Sequence, residues 1–197
     1  MLKKLNKSSY VKMRWLGGST TQLAIWPENS IYSDRDFTWR LSTATVDLPE
    51  SDFTVLPGYE RFIMTLDNSV VLSHEGGETV KLSPFSVHRF DGGAATRSAG
   101  RCTDFNLMVK RDEASAEMFC VNADGKDRSF GVEVVRGEML VIHMLSGKGS
   151  LFSSTESAAL SAQDTVIFEP VREEMTTIKL SGGSRAVVCV IGSPENK

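Results

Sequence analysis

The chain has 197 residues, with 41% hydrophobic and 24% charged side chains and a formal net charge of -3. This is an ordinary globular composition, long enough for one large domain or two small ones. Lysine and arginine are mixed with acids throughout, and no run approaches the roughly 20 apolar residues of a membrane span, so neither nucleic acid nor membrane is an expected partner.

The opening "MLKKLNKSSYVKMRW" is basic, but no apolar run follows it, which argues against a secretory signal. Beyond it the chain reads as short strands punctuated by turns. Strands are expected over 38–48, 61–66, 69–75, 85–91 and 104–110, then over 130–135, 139–145, 149–154, 164–170, 176–180 and 186–192. Turn signals separate them at Asp67-Asn68, Gly76-Gly77, Gly92-Gly93, Gly125-Lys126, Gly147-Lys148 and Gly182-Gly183. Residues 112–119, "DEASAEMF", read as one or two turns of helix at a junction. Regular short strands of this kind mean an all-β sandwich or barrel.

A weak internal repeat is present. Leu82 to Phe90 and Leu160 to Phe168 have the same spacing, and in both a Leu-Ser turn delivers a strand. Duplicated β-units of this size predict a double-stranded β-helix, or jelly roll, built as two β-barrel domains over 1–111 and 112–197. The strands "MLVIHML" and "AVVCVIG" are nearly continuous apolar runs, so the second barrel should have strands buried on both faces.

The run "DFNLMVK" poses the main functional question. Phe105, Leu107 and Val109 share one side of a strand, and Asp104, Asn106 and Met108 share the other. Asp and Asn are poor strand formers, so their use there asks for a reason. In "TWRLSTATV", Arg40, Ser42 and Ala44 share a side, and Arg61 opens the strand after "PGYE". If these polar faces point into one barrel, they can read a small acid bearing an amide or ring nitrogen. Arginine holds the carboxylate and Asn106 meets the nitrogen group. In "GGSTTQ" the small and hydroxyl residues suit a tight turn able to cup an anion, which adds Thr20 and Gln22 to the ligand-binding set. The structural alternative is an Arg40–Asp104 ion pair, an Asn106 that caps loop backbone, and a solvated Arg61. Trp15 and Trp39 are assigned to the core.

The motifs "RWLGGSTTQLAIWP", "FTWRLSTATV", "LPGYERFIMTLD", "LSPFSVHRFDG" and "TDFNLMVKR", in this order, resemble the HutD/Ves family of bacterial proteins. The likeness is good from about Lys12 to Lys110 and looser to about Gly192. It implies a bicupin fold and a link to histidine utilisation, with ligand-binding regulators that sense urocanate or N-formylglutamate. This chain departs from the family's opening motif. Trp15 holds an Asn position, and Thr21 and Gln22 hold Arg-Glu positions.

No cofactor and no metal are expected. The histidines, His74, His88 and His143, form no His-x-His pair, and His74 is read as an exposed hairpin end. No Gly-x-Ser-x-Gly elbow marks a nucleophile. Cys102, Cys120 and Cys189 are odd in number with no CxxC, so they are read as free thiols of a reducing compartment, the cytoplasm. The first expectation is a small-molecule-binding bicupin without enzymatic activity whose partner is a small carboxylated metabolite, with a homodimer left open. The alternative is a metal-independent isomerase or hydrolase using Asp104 or His88 as acid/base, and a third class is an interaction protein.

Overall fold

A computed structural model describes residues 1–194. Strand accounts for 59% of the chain, more than twice the usual globular share of about 20–25%, and the described residues contain no α-helix. The strands are β1 (Leu2–Leu5), β2 (Val11–Trp15), β3 (Gly18–Trp26), β4 (Trp39–Val46), β5 (Glu50–Asp52), β6 (Tyr59–Thr65), β7 (Val70–His74), β8 (Thr79–Leu82), β9 (Val87–Asp91) and β10 (Thr96–Ala99). They continue as β11 (Cys102–Lys110), β12 (Ser115–Asn122), β13 (Arg128–Val134), β14 (Met139–Ser146), β15 (Lys148–Phe152), β16 (Ser157–Ser161), β17 (Thr165–Phe168), β18 (Glu174–Leu180) and β19 (Arg185–Gly192).

Every strand expected from apolar alternation is present. The additional ones are short or polar: β2 is exposed along its whole length, and β5 has three residues. The helix expected over 112–119 is not formed. From Ser115 the segment is β12, which closes the free side of β19 and buries Met118 and Val121.

Two compact units result. One spans Tyr10–Ser115; the other combines Met1–Ser9 with the described residues from Ala116 on. The first residues, expected with the first barrel, pair instead along β17, with Leu2 opposite Phe168.

The two units repeat one topology. In the first, the sheets run β4-β11-β6-β9, extended by β3 and β2, and β5-β10-β7-β8. In the second they run β12-β19-β14-β17, extended by β1, and β13-β18-β15-β16. Each strand of the second set stands eight places after its counterpart. Leu82 and Leu160 therefore lie at or next to the ends of equivalent strands, and Phe90 and Phe168 sit on the next equivalent pair. The same order of eight strands thus occurs twice in the chain.

Each unit packs its own two sheets. In the first, Val46, Ile63 and Cys102 of one sheet meet Val70, Leu72 and Leu82 of the other. In the second, Leu140, Ile142, Val166 and Val188 meet Leu151, Leu160, Ile178 and Leu180. As expected, β14 and β19 are buried nearly throughout.

A polar contact also ties the sheets of the first unit. His74 on β7 and His88 on β9 meet Nε2 to Nε2 at 2.9 Å. His74 is thus half-buried and bonded at both nitrogens, not an exposed hairpin end. The Thr96 hydroxyl donates to the Ala94 carbonyl, so it accepts from His74 Nδ1–H, and the bare His74 Nε2 accepts from His88 Nε2–H. Burial, and for His74 also the facing His88, holds both rings below the ordinary 6.5, against the opposing pull of Glu78. Protonating His74 at Nε2 places N–H against N–H, whereas a proton on His88 goes to Nδ1 and leaves that bond in place. The folded state therefore binds fewer protons than the unfolded chain, and this stability is present above about pH 6.5 and is lost as pH falls. Urea unfolding should show a midpoint that drops between about pH 7 and pH 5, with a smaller drop in His88→Gln than in the native protein. Equal drops would show that the pair carries no proton linkage.

Candidate functional site

The inner face of the six-stranded sheet is apolar at both ends and polar between them. One end is the Val46, Ile63 and Leu72 cluster, and the other is Ile25, Phe37, Leu56, Tyr59 and Met108. The polar band lies in the strand register. Asn106 of β11 stands opposite Ser42 of β4, and Met108 stands between Arg40 of β4 and Arg61 of β6. The alternation noted in "DFNLMVK" is thereby explained. Phe105, Leu107 and Val109 are buried on one side, and Asp104, Asn106 and Met108 face a cavity on the other.

That cavity has a volume of about 410 Å³, within the range of about 300–1,000 Å³ usual for small-molecule sites. Arg40 and Ser42 reach it from β4, and Arg61 from β6. Asp104, Asn106 and Met108 reach it from β11, and Thr20 from β3. Gln22 is set back from the wall, where its Oε1 accepts a 2.7 Å bond from Arg40 Nε–H. A bulge between Gln22 and Ala24 keeps Gln22 level with Ser42 while Ile25 comes level with Arg40. The "GGSTTQ" run is a hairpin, not an anion-cupping loop. Ser19 to Gln22 lie in β3, paired to β2 on one side and β4 on the other, which commits their backbone to the sheet.

Both arginines are buried, at 2% and 5% exposure. The Arg40 guanidinium lies 4.2 Å from the Tyr32 ring and donates from Nη1 to Ser42 Oγ at 3.3 Å. Arg61 lies 4.7 Å from the Phe53 ring and 5.3 Å from that of Phe90, with Nη1 directed at the Thr54 carbonyl at 3.4 Å. Arg61 is therefore buried, not solvated. Burial lowers both from the ordinary arginine value, Arg61 to about 10, so each remains a cation at neutral pH. Among the described residues no ion pair joins Asp104 to either arginine. Burial pushes the Asp104 carboxyl up to about 7, with the nearby charge of Arg61 pulling the other way. The Arg40–Asp104 pair considered from sequence is absent, because the carboxyl is coupled to Arg61.

Three buried polar atoms of the site have no hydrogen-bond partner: Arg40 Nη2, Arg61 Nε and Asn106 Oδ1. Asn106 thus does not spend its carbonyl on capping a loop. Buried polar atoms are rarely left unpaired, and all three belong to residues that line the cavity, whose side chains supply donors for an anion and an acceptor for an N–H.

The second unit shows what the same positions look like without a site. Following the pairing from Phe90 and Phe168, Arg61 corresponds to Leu140, Asn106 to Val188 and Asp104 to Ala186. All three replacements lie in the apolar core of that unit.

Sequence reading missed Trp15. Trp39 is a core residue at 1% exposure, but Trp15 is 41% exposed and lines the cavity. Its place at the end of β2, after Lys12 and Arg14 that alternate with Val11, Met13 and Trp15, was the available signal. His88 does not reach the cavity wall, and its Nε2 is engaged by His74.

An all-β chain with one strand order used twice and a polar cavity in its first unit has a cupin-like β fold. The chain belongs to the HutD family, which it matches over residues 7–188. It is similar to the conserved protein of unknown function PA5104 from Pseudomonas aeruginosa PAO1, with 22% identity, coverage of 98% and 100% of the two chains and a TM-score of 0.83. HutD from Pseudomonas fluorescens SBW25 is similar at 21% identity, 98% and 99% coverage and a TM-score of 0.75. The bacterial pirin YhhW from Escherichia coli, in complex with nickel(II), shares the fold at 9% identity, 98% and 100% coverage and a TM-score of 0.71. No curated protein matches the sequence. Family membership suggests a role linked to histidine utilisation. Among the described residues no group of three or more His, Cys, Asp or Glu could hold a metal ion. The donor set does not fit a cupin metal: three arginines, Arg14, Arg40 and Arg61, line the cavity with two carboxyls, Asp52 and Asp104, and no histidine. No helix among the described residues is long and apolar enough to cross a membrane.

Asp104 makes a stability prediction. Its folded-state value, about 7, lies above the ordinary 3.8, so the folded protein binds more protons and stability falls as pH rises through that interval. Asp104→Asn should gain stability relative to the native protein between about pH 4 and pH 7, read as the difference in urea midpoint. A constant difference across that range would show that Asp104 is not buried as a neutral carboxyl.

Proposed function

We propose that this chain is a bicupin whose first barrel binds a small carboxylated metabolite bearing an N–H group, and that it serves as a cytoplasmic regulator or sensor in histidine degradation. Urocanate and N-formylglutamate, the acids that the family resemblance suggests, both have this chemistry. The observation that carries the reading is that Arg40, Arg61 and Asn106 line one cavity and each holds a buried polar atom without a partner. The carboxylate takes the two guanidinium donors and Asn106 takes the N–H. Ser42 and Gln22 hold Arg40 in place, and Thr20 and Met108 complete the wall. Side chains alone carry this recognition, without a metal or cofactor.

The apolar Leu140, Val188 and Ala186 at the equivalent positions of the second unit support a site in the first barrel only. A second reading is favoured by Asp104. A carboxyl near 7 on a cavity wall suits acid/base work, so the same pocket would serve an isomerase or hydrolase.

Calorimetric titration with urocanate and N-formylglutamate should detect binding, and both acids should be recovered unchanged after hours. Turnover of either moves the protein to the enzyme reading. Arg40→Met should weaken binding by about ten- to hundredfold, since a hydrogen bond to a charged group is worth about 1.5–3 kcal/mol. The fold should survive this change because Asp104 is coupled to Arg61. Absence of binding by the folded native protein across a panel of such acids would overturn the sensor reading.

A further inference from the structure

We propose that Trp15 is the specificity-determining residue of this cavity, its indole face receiving the flat ring of the ligand, so that the site selects a planar ring-bearing acid over an open-chain acyl amino acid. This rests on reading the cavity as an acid site.

Three aromatic side chains line the cavity, and two are already in use. Arg40 occupies the face of Tyr32 and Arg61 that of Phe53. Trp15 makes no ring or cation contact among the described residues, yet it is held still. Its six-membered ring lies on the Gly17-Gly18 backbone, so closely that a Cβ at Gly17 would stand 2.1 Å from Cζ3 and one at Gly18 would stand 3.5 Å from Cζ2. Glycine at 17 leaves that seat open, while Gly18 is required by the Thr45 carbonyl oxygen, 1.8 Å from where its Cβ would stand. Met13 of β2 stands opposite Thr20, Trp15 stands opposite Gly18, and Met13, Trp15 and Thr20 all line the cavity. The indole thus has one face resting on backbone and remains 41% exposed at the cavity wall.

The polar atoms divide the work. The unpartnered donors and acceptor sit on β4, β6 and β11 and recognise charge and N–H. Neither an open chain nor a ring is preferred by them. A large, immobilised π surface on β2 is the element that tells the two apart, because flat rings gain from stacking what a flexible chain does not.

The test titrates urocanate, as the planar probe, and N-formylglutamate, as the open-chain probe, into the native protein, Trp15→Phe and Trp15→Leu. The exposed side chain lies outside the apolar cores, so the variants should fold. The native protein should bind urocanate more tightly. Trp15→Leu should weaken urocanate by about two- to tenfold, the span expected of one aromatic pair, and leave N-formylglutamate unchanged. Trp15→Phe should retain most of the preference. Equal loss for both acids, or tighter native binding of the open-chain acid, overturns this inference while leaving the acid site standing. If neither acid binds the native protein, the acid-site reading falls and this inference falls with it.

Discussion

Two guanidinium groups buried inside one barrel are the constraint on which the rest of the first unit depends. Removing a cation from water is costly unless its donors are matched and its charge is met. The surrounding residues meet part of that cost. Gln22 and Ser42 take two donors of Arg40, and Tyr32 offers its ring face. Phe53 and Phe90 bracket Arg61, and the Thr54 carbonyl accepts from it. The charge balance stays incomplete. Asp104 interacts with Arg61 but not with Arg40, and burial, raising its carboxyl to about 7, keeps it largely neutral until the pH passes neutrality. The interior keeps a surplus of positive charge and two unfilled donors, which an anion would complete.

The comparison within the chain sharpens this. One strand plan is run twice, and its two interiors are opposites. Where the first unit has Arg61, Asn106 and Asp104, the second has Leu140, Val188 and Ala186 packed into a continuous apolar core. The plan evidently folds without a polar band. Hydrophobic packing alone is the cheaper interior, so the band in the first unit is an expense the fold itself does not require.

Much of this was legible in the sequence, for identifiable reasons. Period-two alternation marked β11 and β4, and the same alternation placed Arg40, Ser42, Asp104 and Asn106 on one face before any coordinates. The equal Leu82–Phe90 and Leu160–Phe168 spacings disclosed the duplication. What escaped has physical causes too. Strand β3 is polar and bulged at Gln22, so its alternation is broken, and β12 carries Met118 and Val121 at a spacing that also suits a helix. The His74–His88 contact joins strands of different sheets, and Trp15 takes its place only through the hairpin at Gly17-Gly18. Neither can be read from local pattern, because each depends on pairing between segments.

The central claim is that the unfilled donors and acceptor of the first barrel are the recognition atoms of an acid. A crystal structure of the protein grown with urocanate tests it most directly. The account predicts carboxylate oxygens at hydrogen-bond distance from Arg40 Nη2 and Arg61 Nε, with a ring N–H donating to Asn106 Oδ1. An acid seated elsewhere, with those three atoms still unpaired or bonded only to water, would contradict it.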